Sequence, residues 1–222
     1  YFGAPYADTV RFYDNIGGFF RSAVTARHNI SFSGAATDNR INYRLAATSS
    51  KQEGVVPNSQ LRSTNLTGAS QAQVNRWLRA DLSMAYSFSN NDQPWKGADG
   101  PLIGLLVWPQ YDNARDWLSP AGTRRRLTSL SGAAETDNPY FNVNRNQSKS
   151  DNSRLMANVG LVITPFSWGG LKTNIGSDSY TNELQILRHP ESAFGSTYNG
   201  VLDLAVDVTR NVNAQTLLTF NP

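Results

Sequence analysis

Cysteine is absent from the 222 residues. That excludes a disulfide framework, a thiolate zinc site and a thiol nucleophile, while leaving cytosol, periplasm and outer membrane all open. Histidine is nearly absent: His28 and His189 are far apart and in no metal-ligand spacing. Charge is sparse, at 17% of residues with a balance of +3, too mild for a general nucleic-acid binder. Long apolar runs are missing as well. The longest, residues 102–108, is seven residues with a glycine inside, against the ~18 that a transmembrane helix needs. A helical membrane protein is excluded. A β-barrel is not, because its strands alternate and never look hydrophobic on average. No nucleophile elbow, phosphate loop or dinucleotide fingerprint occurs, so an enzyme is not expected, nor any cofactor.

What fills the composition is uncharged and polar: 22 Asn, 22 Ser and 16 Thr, beside 11% aromatic residues. That mixture of polar, aromatic and β-branched residues argues for an all-β protein. Periodicity agrees. Over residues 78–89 the even positions are Leu78, Ala80, Leu82, Met84, Tyr86 and Phe88, and the odd ones are polar except Ala85. One face meets something oily and the other meets water. Residues 202–220 repeat the pattern, with Arg210 the one charge on the otherwise apolar face. Either a turn interrupts this run or the strand projects beyond a membrane, with Arg210 marking where the outer face leaves the lipid. Runs at 28–34, 41–47, 61–70, 155–164 and 171–180 bring the expectation to about seven strands.

The connections alternate in length. Residues 37–39, 71–76 and 165–169 are short; residues 49–60, 90–152 and 182–200 are long. Short turns at one end and long loops at the other are the asymmetry of an outer-membrane barrel. Residues 101–109 are expected to form a short helix or an apolar anchor within the longest connection. Trp77, Phe166, Trp168 and Phe220 sit beside short turns, where an aromatic girdle would stand.

Several motifs then resemble SusC/RagA-type TonB-dependent outer-membrane transporters. Tyr13-Asp14-Asn15 with Gly18-Phe19-Phe20 is similar to a YDN…FF element, and residues 29–34 (Asn-Ile-Ser-Phe-Ser-Gly) to a strand ending in Ser-Gly. Residues 52–58 resemble a Q-x-G-I-V-P-N loop, residues 105–109 another family segment, and Asn138-Pro139-Tyr140-Phe141 an NPY element. Asp151, Arg154 and Asn158 resemble the start of the next strand, although Asn152 stands where an arginine is expected; residues 217–221 resemble a recurrent strand end. The elements occur in family order over most of the chain. Residues 111–136 and 182–200 match nothing in that pattern.

The resemblance implies antiparallel up-and-down strands forming part of a large transmembrane β-barrel of about 22 strands, with long extracellular loops. It implies that residues 1–222 are a fragment whose plug and TonB box lie elsewhere, an expectation to which the non-Met start also points. It implies nutrient uptake, of glycan or peptide, across a Gram-negative outer membrane. The partners it implies are a SusD-like lipoprotein lid, the TonB complex acting through the plug, outer-membrane lipid, and an oligosaccharide or peptide substrate.

The substrate-binding candidates are polar residues opposite apolar strand faces, which would look into the lumen: Arg44, Arg79, Asp81, Asn158, Asp203 and Asp207. The plainer reading is that each solvates the wall or pairs with the plug. Asp203 and Asp207 lie about 13 Å apart by strand rise, wider than the ~5–9.5 Å of a glycosidase pair. Trp95, Trp108 and Trp117 either stack on sugars and the lid or anchor the long loop in its own small core. Arg124, Arg125 and Arg126 either bind an anion or form a solvated loop face. Two other architectures fit the alternation: a self-contained soluble or surface β-sandwich, as an adhesin or carbohydrate binder, and an eight-stranded barrel using residues 10–20 as its extra strand.

Overall fold

The structure is a computed structural model that describes residues 5–36, 38–127 and 135–220. Thr37 of the expected tight turn, Asn221 of the last motif and residues 128–134 of the longest connection lie outside the described residues. Seven strands form one sheet in sequence order, each antiparallel to the next: β1 Thr25–Ala36, β2 Ile41–Glu53, β3 Gln60–Asn75, β4 Leu78–Gln93, β5 Gln147–Phe166, β6 Gly169–Arg188 and β7 Val201–Phe220. The described residues contain no second sheet, which overturns the sandwich alternative. Residues 10–20 supply no strand either. They hold helix α1, Asn15–Phe19, whose first turn is capped by the Asp14 carboxylate accepting from the Gly17 amide.

Register carries the sidedness of the sheet, because residues directly opposite one another on paired strands share a face. Phe32 pairs with Leu45, Leu45 with Gly68, Gly68 with Met84 and Met84 with Ala157. Leu82 pairs with Val159, and Val159 with Ile175. This apolar face is open: Phe32 is 62% exposed, Leu82 53% and Ile175 55%. Gly34 belongs to the same face for a steric reason. The Tyr43 ring lies across it, and a β-carbon there would lie 2.6 Å from the Tyr43 hydroxyl and make the ring swing aside.

Strands β5, β6 and β7 are 20 residues each, roughly twice the ~9–11 that a tilted strand needs to cross a bilayer. On β4 and β6 the apolar face gives way to polar residues toward the long-loop end. On β4 it persists to Phe88, which lies in the row of Ser153 and Thr181. On β6 it stops at Ile175 and continues as Ser177, Ser179 and Thr181. β7 runs unbroken through Arg210, which faces Ser179, so no turn interrupts it. Beyond Arg210 the same face of β7 resumes with Val208, Val206, Leu204 and Leu202, all exposed.

The turns keep the expected asymmetry, but the connections expected over 49–60, 90–152, 182–200, 71–76 and 165–169 all shorten, because the flanking strands run on into them. The short end has residues 76–77 and 167–168; the other end has 54–59, 94–146 and 189–200. The connection expected over 49–60 shrinks to 54–59, because Ser49–Glu53 continue β2. Aromatic residues gather at the short end: the Phe166 and Trp168 rings stack 5.0 Å apart, and Trp168 lies 6.4 Å from Phe220. All three and Trp77 are exposed. The buried hydrophobic side chains sit at the opposite end and outside the strands: Phe19, Leu105, Trp108, Ala114, Phe141 and Val143. They form a cap built from residues preceding β1 and from the long connections. It includes helix α2, Pro101–Val107, in the segment expected to be helix or anchor, and helix α3, Pro139–Arg145.

Candidate functional site

All six sequence candidates lie on the polar face. Arg44 pairs with Ser33 and Ala69, Arg79 with Gln73 and Val162, Asp81 with Gln71 and Gly160, and Asn158 with Ser83 and Gly176. Asp203 pairs with Ile186 and Asp207 with Asn182. The sheet brings three of them together: Arg44, Asp81 and Asn158 line a groove of about 450 Å³ with Gln71 and Ser83. Asp81 is already engaged there. It accepts from the Gln71 amide at 2.9 Å and lies 3.5 Å from the Arg79 Nε. Asp203 and Asp207 stand apart. The row of Asp81 passes through Gly160 and Asn174 to Gln215 on β7. From Gln215, Asp207 is ~26 Å along the strand and Asp203 ~40 Å at the rise of an antiparallel strand.

The same face holds an ion pair outside the candidate set. Arg154 of β5 grips Asp178 of β6 with two parallel bonds, Nε at 2.8 Å and a terminal nitrogen at 2.6 Å. Nearby, the Tyr180 hydroxyl donates to Asn152 at 2.5 Å. Residue parity alone puts Arg154 and Asp178 on the polar face, but their meeting depends on the β5–β6 register.

Above the polar face stands the cap, organised by Asn and Asp side chains. Asn138 accepts from the Tyr140 and Phe141 amides at the start of α3, with Pro139 at the first helical position, and donates to the Ala114 carbonyl at 2.8 Å. One side chain thus caps a helix and fastens it to the preceding loop. Asn15 does the same for the N-terminal segment, donating to the Asp112 carbonyl at 2.8 Å and accepting from the Ala114 amide at 3.0 Å. Asp137 is the hub. Its carboxylate accepts from Arg124 at 2.5 Å, from the Ser192 hydroxyl at 2.5 Å and from the Ala193 amide at 2.8 Å. The long connection and residues 189–200 are thereby joined.

The three consecutive arginines are neither a free anion site nor a bare solvated face. Arg124 pairs with Glu135 and Asp137, Arg125 with Asp112, and Arg126 with Glu135. The Asp112 carboxylate, by hydrogen bond and charge, holds the Arg125 guanidinium above its ordinary pKa against the opposing effect of burial. Burial likewise raises the Tyr140 phenol, opposed by Arg115; its hydroxyl donates to the Gly18 carbonyl at 2.8 Å. The tryptophans divide. Trp108 is buried with its Nε1 on Asp112 at 3.1 Å, and Trp117 packs on Phe141, so both anchor the cap. Trp95 stands at the rim, its Nε1 on the Gln147 carbonyl at 3.2 Å and its ring 4.7 Å beneath the Arg188 guanidinium.

No family model and no curated protein matches the sequence. Solved structures do. A chain in the structure of the RagAB peptide transporter aligns over 93% of this chain at 19% identity with a TM-score of 0.66. Chains in the RagAB peptide importer match in its closed-closed state, over 92% at 19% identity and 0.63, and in its open-open state, over 91% at 20% identity and 0.65. This chain spans 23% of the length of each of them. At such identity the likeness is one of fold: the seven up-and-down strands are arranged as a sector of an outer-membrane transporter barrel.

Proposed function

We propose that this chain forms part of the wall of an outer-membrane importer of the SusC/RagA type in a Gram-negative cell. The observation that carries the reading is the segregation of the two sheet faces. An apolar band this open, with no helix or second sheet over it among the described residues, is stable only against lipid or another apolar surface, and the opposite face is lined with Asn, Ser, Arg and Asp. In this reading the apolar face meets lipid, the polar face lines the route taken by cargo, and the cap stands at the extracellular mouth. Trp77, Phe166, Trp168 and Phe220 then form the periplasmic girdle.

The cargo is a short peptide, as for the RagAB peptide transporter among the solved neighbours, with an oligosaccharide as the second choice. Arg44, Arg79, Asp81, Asn158, Asp203 and Asp207 serve as dispersed, individually weak contacts. Passage needs sites strong enough to attract and weak enough to release. The sector works with a plug moved by the TonB complex and with a SusD-like lipoprotein lid seated on the cap. The chemistry on the polar face is binding, without bond making or breaking.

The test is fractionation of envelopes from cells producing the native polypeptide that carries this sequence, followed by uptake of a labelled peptide mixture with and without TonB. Recovery in the outer membrane with TonB-dependent uptake supports the reading. A soluble or secreted polypeptide overturns it, and an outer-membrane polypeptide that takes up oligosaccharides and no peptides overturns the cargo.

A further inference from the structure

Arg188 combines a buried, unpartnered Nε with the lack of any ion pair among the described residues; Arg11 and Arg145, which also lie over aromatic rings without an ion pair there, lack the first feature, and Arg124 lacks the second. Arg124, Arg125 and Arg126 are all spent on carboxylates, and Arg21 on the Gly54 and Ser59 carbonyls. Arg188 makes no ion pair among the described residues, and its Nε is buried with no hydrogen-bond partner there. What holds it is Trp95, whose ring lies 4.7 Å below the guanidinium carbon. Stacking fixes a guanidinium by its face and leaves the N–H donors along its edge unspent. The platform is itself fixed, because the Trp95 Nε1 donates to the Gln147 carbonyl.

The surroundings form a hollow of about 300 Å³ lined by Gln93, Trp95, Lys96, Ser148, Ile186 and Arg188. Lys96 also makes no ion pair among the described residues, and Asp203, which faces Ile186 on the neighbouring strand, does not bond to Arg188. Gln93, Ser148 and Ile186 form one row on the polar face, so the hollow lies at the top of the proposed cargo route.

From this geometry we infer that Arg188, presented by Trp95 and backed by Lys96, is a carboxylate-binding subsite for a peptide cargo. The inference rests on the importer reading and adds a chemical preference to it. The planar edge of Arg188 takes both carboxylate oxygens, Lys96 adds charge at one side, and the Gln93 amide and Ser148 hydroxyl supply further donors. Either the peptide's C-terminus or an acidic side chain can provide the group.

The test measures binding to the native polypeptide, purified in detergent, of three labelled octapeptides of alanine and serine. One has a free C-terminal carboxylate, one a C-terminal amide, and one the amide with a single internal glutamate. The expected result is that the plain amide binds roughly 10-fold or more weakly than either acidic peptide, the scale of hydrogen bonds to a charged group. Arg188→Gln abolishes the difference while leaving amide binding unchanged, which also reports that the protein is folded. Arg188→Lys, keeping charge without the planar edge, restores only part of it. A gain for only one acidic peptide supports the subsite and identifies the source of the carboxylate. Equal binding of all three, or a preference that survives Arg188→Gln, overturns the subsite and leaves the importer standing. No binding of any peptide overturns the subsite and the peptide cargo together.

Discussion

The sheet and the cap are made from one chain but follow opposite rules. In the sheet, Phe32, Leu82, Met84 and Ile175 are exposed. In the cap, Phe19, Trp108 and Phe141 are buried, with Asp137, Asn138 and Asn142 buried among them. The strands are held by backbone ladders and need an apolar surrounding on one side. The cap has its own core, and most of its buried polar groups bond to one another or to backbone, Arg124 Nε and Asn142 Oδ1 excepted. The difference teaches where each part gets its stability: the sheet from its backbone ladders, the cap from packing and from a few side chains joining distant loops.

The sharpest way to break the comparison is at Asp137. Asp137→Ala leaves Arg124, 6% exposed at its side chain, with Glu135 as its remaining partner and strands the Ser192 hydroxyl; fully unpairing a buried charge costs about 3–5 kcal/mol, and with Glu135 in place the loss falls below that ceiling. Hydrogen exchange should show residues 94–127 and 189–200 losing protection while β1 to β4 keep theirs. Loss throughout the sheet would mean that cap and sheet are one cooperative unit.

A smaller effect separates the faces. Met84→Arg puts a charge on the apolar face, at a cost of about 2–4 kcal/mol near the bilayer midplane, whereas Ser83→Arg, one residue away, is close to neutral. Urea titration in phospholipid vesicles measures both, and equal penalties would deny that one face meets lipid. Asn138→Ala removes a helix cap and leaves the Ala114 carbonyl without its partner, costing the cap about 1–2 kcal/mol; accelerated protease cleavage between 108 and 138 is the readout. Least affected is Arg154→Gln. The Arg154–Asp178 pair is exposed to water, and exposed pairs contribute little, so the thermal midpoint should stay within the scatter of the measurement.

Much of the sheet is legible because alternation is a local property of a strand. The alternation at residues 78–89 depends on nothing outside that segment, and it gives strand and face. Where neither face is apolar the signal vanishes. Residues 49–53 and 148–152 are strand, yet their Ser, Lys, Gln, Glu, Asp and Asn side chains show no apolar period, which is why sequence alone places them in connections. The six polar-face candidates were legible for the same local reason, but only their face was. That Arg44, Asp81 and Asn158 share a groove while Asp203 and Asp207 stand far along β7 follows from register, not from spacing.

The cap lies at the other extreme. Arg124 to Arg126 read as a bare charge run because their partners at 112, 135 and 137 carry no periodic signal. Arg188 drew no notice, since it closes a strand 93 residues from the tryptophan that holds it. The sequence by itself determined the class of fold, the two faces of the sheet and the alternation of short and long connections, because a strand puts successive side chains on opposite faces whatever lies elsewhere in the chain. Only the tertiary structure decided which loops join and which arginines are paired with carboxylates. Those outcomes depend on distances between segments remote in the chain, and local patterning does not encode them.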